Sequence, residues 1–303
     1  MIDLRRLQVL RAVEQCGGVT AAARALHLTP SAVSQQVRAL ANDLGVELLV
    51  HEGRGVKLTS AAHLALRHAH ELFRQWEEAA ADIRKHEANP PGTVRLCGFP
   101  SALTALLIPT ASALQESNPA MRVHLREAET PECFELLLSE EADLAVVVPN
   151  ANSPTLDDPR FDQSPLLDDV IDLLVPDDHH LAERDSITLS EAASETWIVA
   201  EPTSTEQHAL AIGACTTAGF RPRIGHYATD WQTVLHLVTA GYGVYLLPRL
   251  VEIPAQARLR RLPVTGKPRL VRRILVASRK GSRHHAHLAA AGRILHGIAA
   301  AIA

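Results

Sequence analysis

Ser31, Ser34, Gln35 and Arg38 share one side of a predicted helix, and their chemistry suits the edges of base pairs. A glutamine amide can pair with adenine, and an arginine fork with guanine. At about 100° per residue, Val33, Val37, Leu40 and Leu44 fall on a different face. One stripe is built for burial and the other for hydrogen bonding. Thr29 reads as the N-cap and Pro30 as the first helical residue, where a missing N–H costs nothing, while Gly45 closes the helix. Upstream, Gly17-Gly18 interrupts an amphipathic helix with Leu7, Leu10 and Val13 inward, and Thr20 is expected to cap a second helix through Leu26. Downstream, apolar segments 46–50 and 56–59 flank His51-Glu52-Gly53-Arg54-Gly55, which predicts a hairpin. His51 and Arg54 on that hairpin are candidates for contact with phosphate. The order of elements predicts a winged helix-turn-helix whose Thr29, Ser31, Ser34, Gln35 and Arg38 face DNA.

The whole chain has 303 residues, 47% of them apolar and 21% charged, with a formal net charge of -4. That excludes a histone-like polycation. The first 88 residues are almost charge-balanced, so binding rests on a local patch rather than on bulk charge. Without an apolar run suited to export or to a membrane span, the expected location is cytoplasmic. Cys16, Cys97, Cys133 and Cys215 are scattered, as reduced and mostly buried thiols would be. Nucleophile-elbow, phosphate-loop, dinucleotide and zinc-protease motifs are all missing, so an enzyme is not expected. The pieces Asp177-Asp178-His179-His180 and His284-His285-Ala286-His287 read as a solvated turn and a solvated helix start. Neither metal nor cofactor is expected, because zinc would need further ligands in a closed geometry.

Residues 60–88 form one long helical pattern without glycine or proline. Leu64, His68, Leu72, Trp76, Ala79 and Ile83 mark its apolar seam, with Arg67, Arg74, Glu77, Glu78 and Arg84 expected outward. Such a seam wants a partner helix, and Leu64, Leu72, Trp76 and Ile83 are its candidate dimer contacts. Asn89-Pro90-Pro91-Gly92 follows as a hinge. Strands and helices then alternate twice, which predicts α/β structure with parallel strands and right-handed crossovers. The division expected is 1–59 for the DNA-binding head, 60–91 for the linker, and 92–303 for the body. Within the body, lobe one takes about 92–162 and 269–303, and lobe two about 163–268.

Four stretches carry a family resemblance: Ala22-Ala23-Arg24-Ala25-Leu26, Pro30-Ser31-Ala32-Val33-Ser34-Gln35-Gln36-Val37, Leu44-Gly45-Val46 and Gly53-Arg54-Gly55-Val56-Lys57-Leu58-Thr59. With these the chain resembles the LysR-type transcriptional regulators of bacteria. It departs at His51, where the family usually has arginine, and at Leu49, where phenylalanine is common. The resemblance implies a two-lobed effector domain like a periplasmic binding protein, with a cleft between the lobes. It also implies double-stranded promoter or operator DNA, a small-molecule effector, a homodimer or homotetramer, and RNA polymerase as partners. Some members sense peroxide through a cysteine pair in the second lobe; only Cys215 lies there, so that route is not expected. The competing readings are a solute-binding protein and an enzyme on the same fold, against which stand the winged head and the missing motifs.

Helix starts in the body supply the cleft chemistry. Pro100-Ser101 and Thr130 each follow a strand and open a helix, Pro149 follows a third strand, and Thr203-Ser204 repeats the device in lobe two. N–H groups there favour carboxylates and other anions. Ser204 with Gln207 also fits a capping box, and any of these hydroxyls serves equally well as a simple cap. Asp230 either selects a cationic or amide group or caps the helix that Trp231 begins. Pro100, Ser101, Thr130, Pro149, Thr203, Ser204 and Asp230 are the candidate effector contacts.

Overall fold

The computed structural model describes the chain apart from residues 1–2, 27, 53–54, 85–91, 203–204, 267–268 and 303. Helices α1 (Leu4–Gln15), α2 (Val19–Ala25) and α3 (Pro30–Leu44) open it. They close around Leu7, Leu10, Val13, Ala22, Val33, Val37 and Leu40, so the apolar stripe of α3 turns inward as its spacing predicts. α2 begins at Val19 behind Gly18; Thr20 lies inside it, exposed, and is not the cap. Strands β1 (Leu49–Glu52) and β2 (Gly55–Leu58) pair antiparallel with Leu49 opposite Leu58, and reach further toward the turn than residues 46–50 and 56–59 suggest.

Helix α4 (Ser60–Arg84) starts on Thr59, whose hydroxyl accepts from the N–H of Ala62 at 3.1 Å and donates to the carbonyl of Glu47 at 2.7 Å. One face of α4 buries Ala62, Leu66 and Ala69 in the head. Beside that face the seam is uncovered in the single chain: Leu64, Leu72, Trp76 and Ile83 are exposed.

The body begins with β3 (Thr93–Gly98), the short α5 (Pro100–Ala102), a π-helical turn (Leu103–Leu107) and α6 (Ile108–Ser117). Pro109 explains the π turn: it has no N–H to give the carbonyl of Ala105, and its ring would crowd that carbonyl in a regular ladder. β4 (Arg122–Glu127), α7 (Thr130–Leu138), β5 (Leu144–Val147) and the long β6 (Phe161–Pro176) follow. Lobe two continues with β7 (Ile187–Thr188), β8 (Thr196–Val199), α8 (Thr205–Thr217), β9 (Arg223–Tyr227), α9 (Trp231–Thr239), β10 (Tyr245–Pro248), β11 (Leu259–Leu262) and β12 (Val264–Thr265). β13 (Val271–Arg279) and α10 (Ala286–Ile302) return to lobe one.

β4, β3 and β5 are parallel neighbours, as the alternation predicts. The sheet as a whole is mixed, because β13 runs antiparallel to β5 and β6, and β10 antiparallel to β6. β6 pairs with β13 as far as Val170 and with β10 and β11 beyond it. Leu167 lies in the core of lobe one and Ile171 in that of lobe two, so the crossing falls near residue 170 rather than at 163. An unbroken strand carries no glycine turn to mark such a crossing. Among the described residues no helix is long and apolar enough to cross a membrane.

Candidate nucleic-acid interface and ligand cleft

Thr29 caps α3, its hydroxyl accepting from the N–H of Ala32 at 3.2 Å, and Pro30 holds the first turn. Gly45 ends the helix in the left-handed conformation, φ 69°. Between these stops Ser31, Gln35 and Arg38 are exposed, whereas Val33, Val37 and Leu40 are buried. Ser34 is half-buried; with Arg38 and Asn42 it lines a groove of about 620 Å³ that Val56 of the hairpin closes. The Thr29 hydroxyl also lies 2.9 Å from that of Ser31, so the first turn of α3 spends part of its polar chemistry on itself. His51 is a strand residue opposite Val56, not a turn residue, and its side chain and Arg54 lie outside the described residues.

In the body, the carboxyl ends of β4, β3 and β5 fall on one edge of the sheet, and there the topology gathers Pro100, Ser101, Thr130 and Pro149. Neither hydroxyl is a cap. Phe99 takes the cap position of α5 and Glu129 that of α7. Thr130, buried, instead accepts from the N–H of Val148 at 3.1 Å and ties α7 to the end of β5. Buried Ser101 accepts from Nη2 of Arg272 at 2.7 Å, and Nε of the same guanidinium meets Asp169 at 2.7 Å. Asp169 also accepts from the N–H of Leu250 at 3.1 Å, and Arg272 stacks 4.8 Å over Phe99. This ion pair sits where β6 and β13 cross between lobes, and sequence reading misses it. Nothing in the sequence tells Arg272 and Asp169 apart from their neighbours Arg273 and Asp168, which are exposed.

In lobe two, Asp230 caps α9, accepting at 2.9 Å from both the N–H and the hydroxyl of Thr233, which hold its carboxyl below the usual range. Thr203 and Ser204 lie outside the described residues; Gln207 accepts from the Tyr245 hydroxyl at 2.9 Å. Cys97, Cys133 and Cys215 are buried, and burial pushes the Cys215 thiol up to about 12, far from a reactive thiolate.

The turn at 177–180 is solvated apart from half-buried His179, whereas the start of the last helix departs from the solvated reading at buried His285. Glu195 comes to the turn at 179–180, with His179 at 3.4 Å and His180 at 3.5 Å. Nδ1 of His179 accepts from the N–H of Leu181 at 3.3 Å, so Nε2 carries the proton and faces Glu195, the tautomer that serves a carboxylate rather than a metal. His285 is 5% exposed, and its Nε2 meets Glu77 of α4 at 2.9 Å. Arg279 reaches the same carboxylate at 3.3 Å, while His284 lies 3.7 Å from Glu78. Glu77 therefore does not face outward: it docks the linker helix on lobe one. Gly281 permits the approach, since a Cβ there would lie 2.9 Å from the carbonyl oxygen of Arg74 and its φ is 85°.

A winged helix-turn-helix joined by a long helix to a two-lobed α/β body defines a bacterial transcriptional regulator. Residues 4–63 match the family described as bacterial regulatory helix-turn-helix protein, lysR family, and residues 87–297 match the LysR substrate binding domain. The chain belongs to the LysR family of transcriptional regulators. It is 31% identical over 248 residues to the transcriptional dual regulator GltC of Bacillus subtilis, covering 82% of this chain and 81% of that protein. It is 29% identical over 248 residues to the transcriptional regulator AlsR of the same organism, covering 82% and 80%. Full-length CbnR, solved in complex with its target DNA, has the same fold, with a TM-score of 0.57, 22% identity and coverage of 97% of this chain and 100% of that one.

Proposed function

We propose that this regulator reads a specific promoter site as a dimer through Ser31, Ser34, Gln35 and Arg38, and that a small anionic effector in the cleft between the lobes modulates it. The observation that carries the reading is the two-sided α3: Ser31, Gln35 and Arg38 stand exposed while Val33, Val37 and Leu40 are buried. Thr29, His51 and Arg54 join as contacts to the phosphate backbone. The uncovered seam of Leu64, Leu72, Trp76 and Ile83 supports pairing of two linker helices. On this reading Gln35→Ala and Arg38→Ala each weaken specific binding by about 1–3 kcal/mol. Gln35→Ala spares binding to random DNA, whereas Arg38→Ala lowers both. Titrations of a selected operator and a scrambled duplex at matched salt check this, and an equal loss on both duplexes for Gln35→Ala removes its base-reading role.

The anionic effector rests on Ser101. A serine hydroxyl has one donor and two acceptor sites, and Arg272 occupies an acceptor site. The O–H remains to donate to a ligand, with a guanidinium behind it that favours negative charge. Pro100, Thr130, Pro149, Thr203, Ser204 and Asp230 complete the proposed rim. Ser101→Ala is expected to leave effector-free DNA affinity nearly unchanged, to abolish the effector's influence on the DNA footprint, and to cost about 1–3 kcal/mol of stability because Arg272 loses a partner. A thermal-shift screen of small carboxylates identifies the effector class, and an undiminished response in Ser101→Ala returns that residue to a structural role.

A further inference from the structure

Between the head and lobe one lies a cavity of about 540 Å³, walled by α1, α4 and the edge of lobe one. Its wall holds a buried charge that lacks a counter-ion. Arg11 is 8% exposed; its guanidinium stacks 4.5 Å over Phe73 and gives one long bond, 3.3 Å, to the carbonyl of Leu138. Among the described residues Arg11 has no ion pair, Glu140 acts on it only through space, and burial holds its pKa down to about 10. A guanidinium this buried ordinarily meets a carboxylate or a phosphate.

Two buried ring nitrogens of residues on the same wall also lack partners, Nε2 of His70 and Nδ1 of His285. Burial, with Arg11 and Arg160 nearby, pushes His70 down to about 4, so its ring is neutral. His285 directs Nε2 at Glu77, which leaves Nδ1 as the ring nitrogen without a partner. Of the other cations on the wall, Arg74 is held by Glu71 and Glu78, Arg160 by Asp158, Arg279 by Glu77 and Asp143, and Lys280 by Asp162, so Arg11 is the buried cation there without an ion pair among the described residues.

We propose that this cavity is a second ligand site, separate from the cleft between the lobes, and that it takes inorganic phosphate in its hydrogen phosphate form. The phosphate oxygens accept from Arg11, and the phosphate's own hydroxyl donates to Nδ1 of His285. Sulfate has no such hydroxyl at neutral pH, nor has the dianion of a phosphate monoester. Because the walls come from the reading head, the linker helix and lobe one, the occupied state favours the arrangement in which these three are docked.

The test is calorimetric titration of the full-length chain with inorganic phosphate at constant ionic strength, with sulfate and glycerol phosphate as parallel arms. Phosphate is expected to bind at least about tenfold more tightly than either. Arg11→Met, which keeps a stem to pack on Phe73, is expected to lose about tenfold or more. Arg273→Met, at an exposed pair with Asp168 away from the cavity, is expected to lose nothing. Hydrogen exchange on the unmodified protein decides the case even if Arg11→Met fails to fold: phosphate should slow exchange in residues 4–15 and 70–80. Absent binding, sulfate or glycerol phosphate binding as tightly as phosphate, or protection confined to the cleft between the lobes, overturns the proposal.

Discussion

Asp169→Ala is expected to cost about 3–5 kcal/mol of folding stability, because it removes the carboxylate that meets the buried guanidinium of Arg272. Both side chains are almost wholly enclosed, 1% exposed for Asp169 and 7% for Arg272, and their 2.7 Å contact joins the two strands that pass between lobes. The loss is the cost of taking a carboxylate away from a buried charge, not the net worth of the pair. The double variant Asp169→Ala with Arg272→Met should therefore recover much of it. Arg273→Ala breaks the exposed pair with Asp168, one register step from the same crossing, and should change stability by less than about 1 kcal/mol. Denaturant unfolding of the four proteins checks the series. Equal stabilities for Asp169→Ala and Arg273→Ala would mean that the crossing does not depend on this ion pair.

Leu72→Asp is expected to convert the proposed dimer to a monomer. Leu72 is 46% exposed in the single chain and takes no part in the core that Ala62, Leu66 and Ala69 help to build, so the substitution leaves the core of the head intact. In a two-fold interface each protomer would bring one carboxylate into the seam. A charge buried without a partner costs several kcal/mol, so two of them outweigh the packing that a helix pair supplies. Sedimentation of both forms gives the answer directly: half the assembly mass, or a shift to it at low concentration, is expected. An unchanged mass would move the interface away from this seam.

The head was legible because its signals are local. Thr29, Pro30 and Gly45 set the ends of α3 within its own sequence, and the spacing of Val33, Val37 and Leu40 sets its buried side. The positions of the strands in the body were legible for the same reason, as runs between helix starts. Their directions were less so, because β13 returns from lobe two and pairs antiparallel with strands far away in the chain. Ser101 stands out in the sequence only as a helix start, because its partner Arg272 is 171 residues away, and only the fold turns its hydroxyl from a cap into part of a network. Glu77 and His285 were read as solvated because each lies in a polar stretch. They are 208 residues apart, and the contact between them exists only once α4 docks on lobe one.

The most direct test of the account is selection of DNA from a random pool by the full-length chain at near-physiological salt. The account predicts an enriched site with two related half-sites about one helical turn apart or a multiple of it, one for each α3 of the dimer. It predicts further that Gln35→Ala relaxes the base preference at one position in each half-site while leaving their spacing unchanged. A pool that returns no preferred sequence, or a preferred sequence that Gln35→Ala leaves untouched, would contradict a reading head built on the polar face of α3.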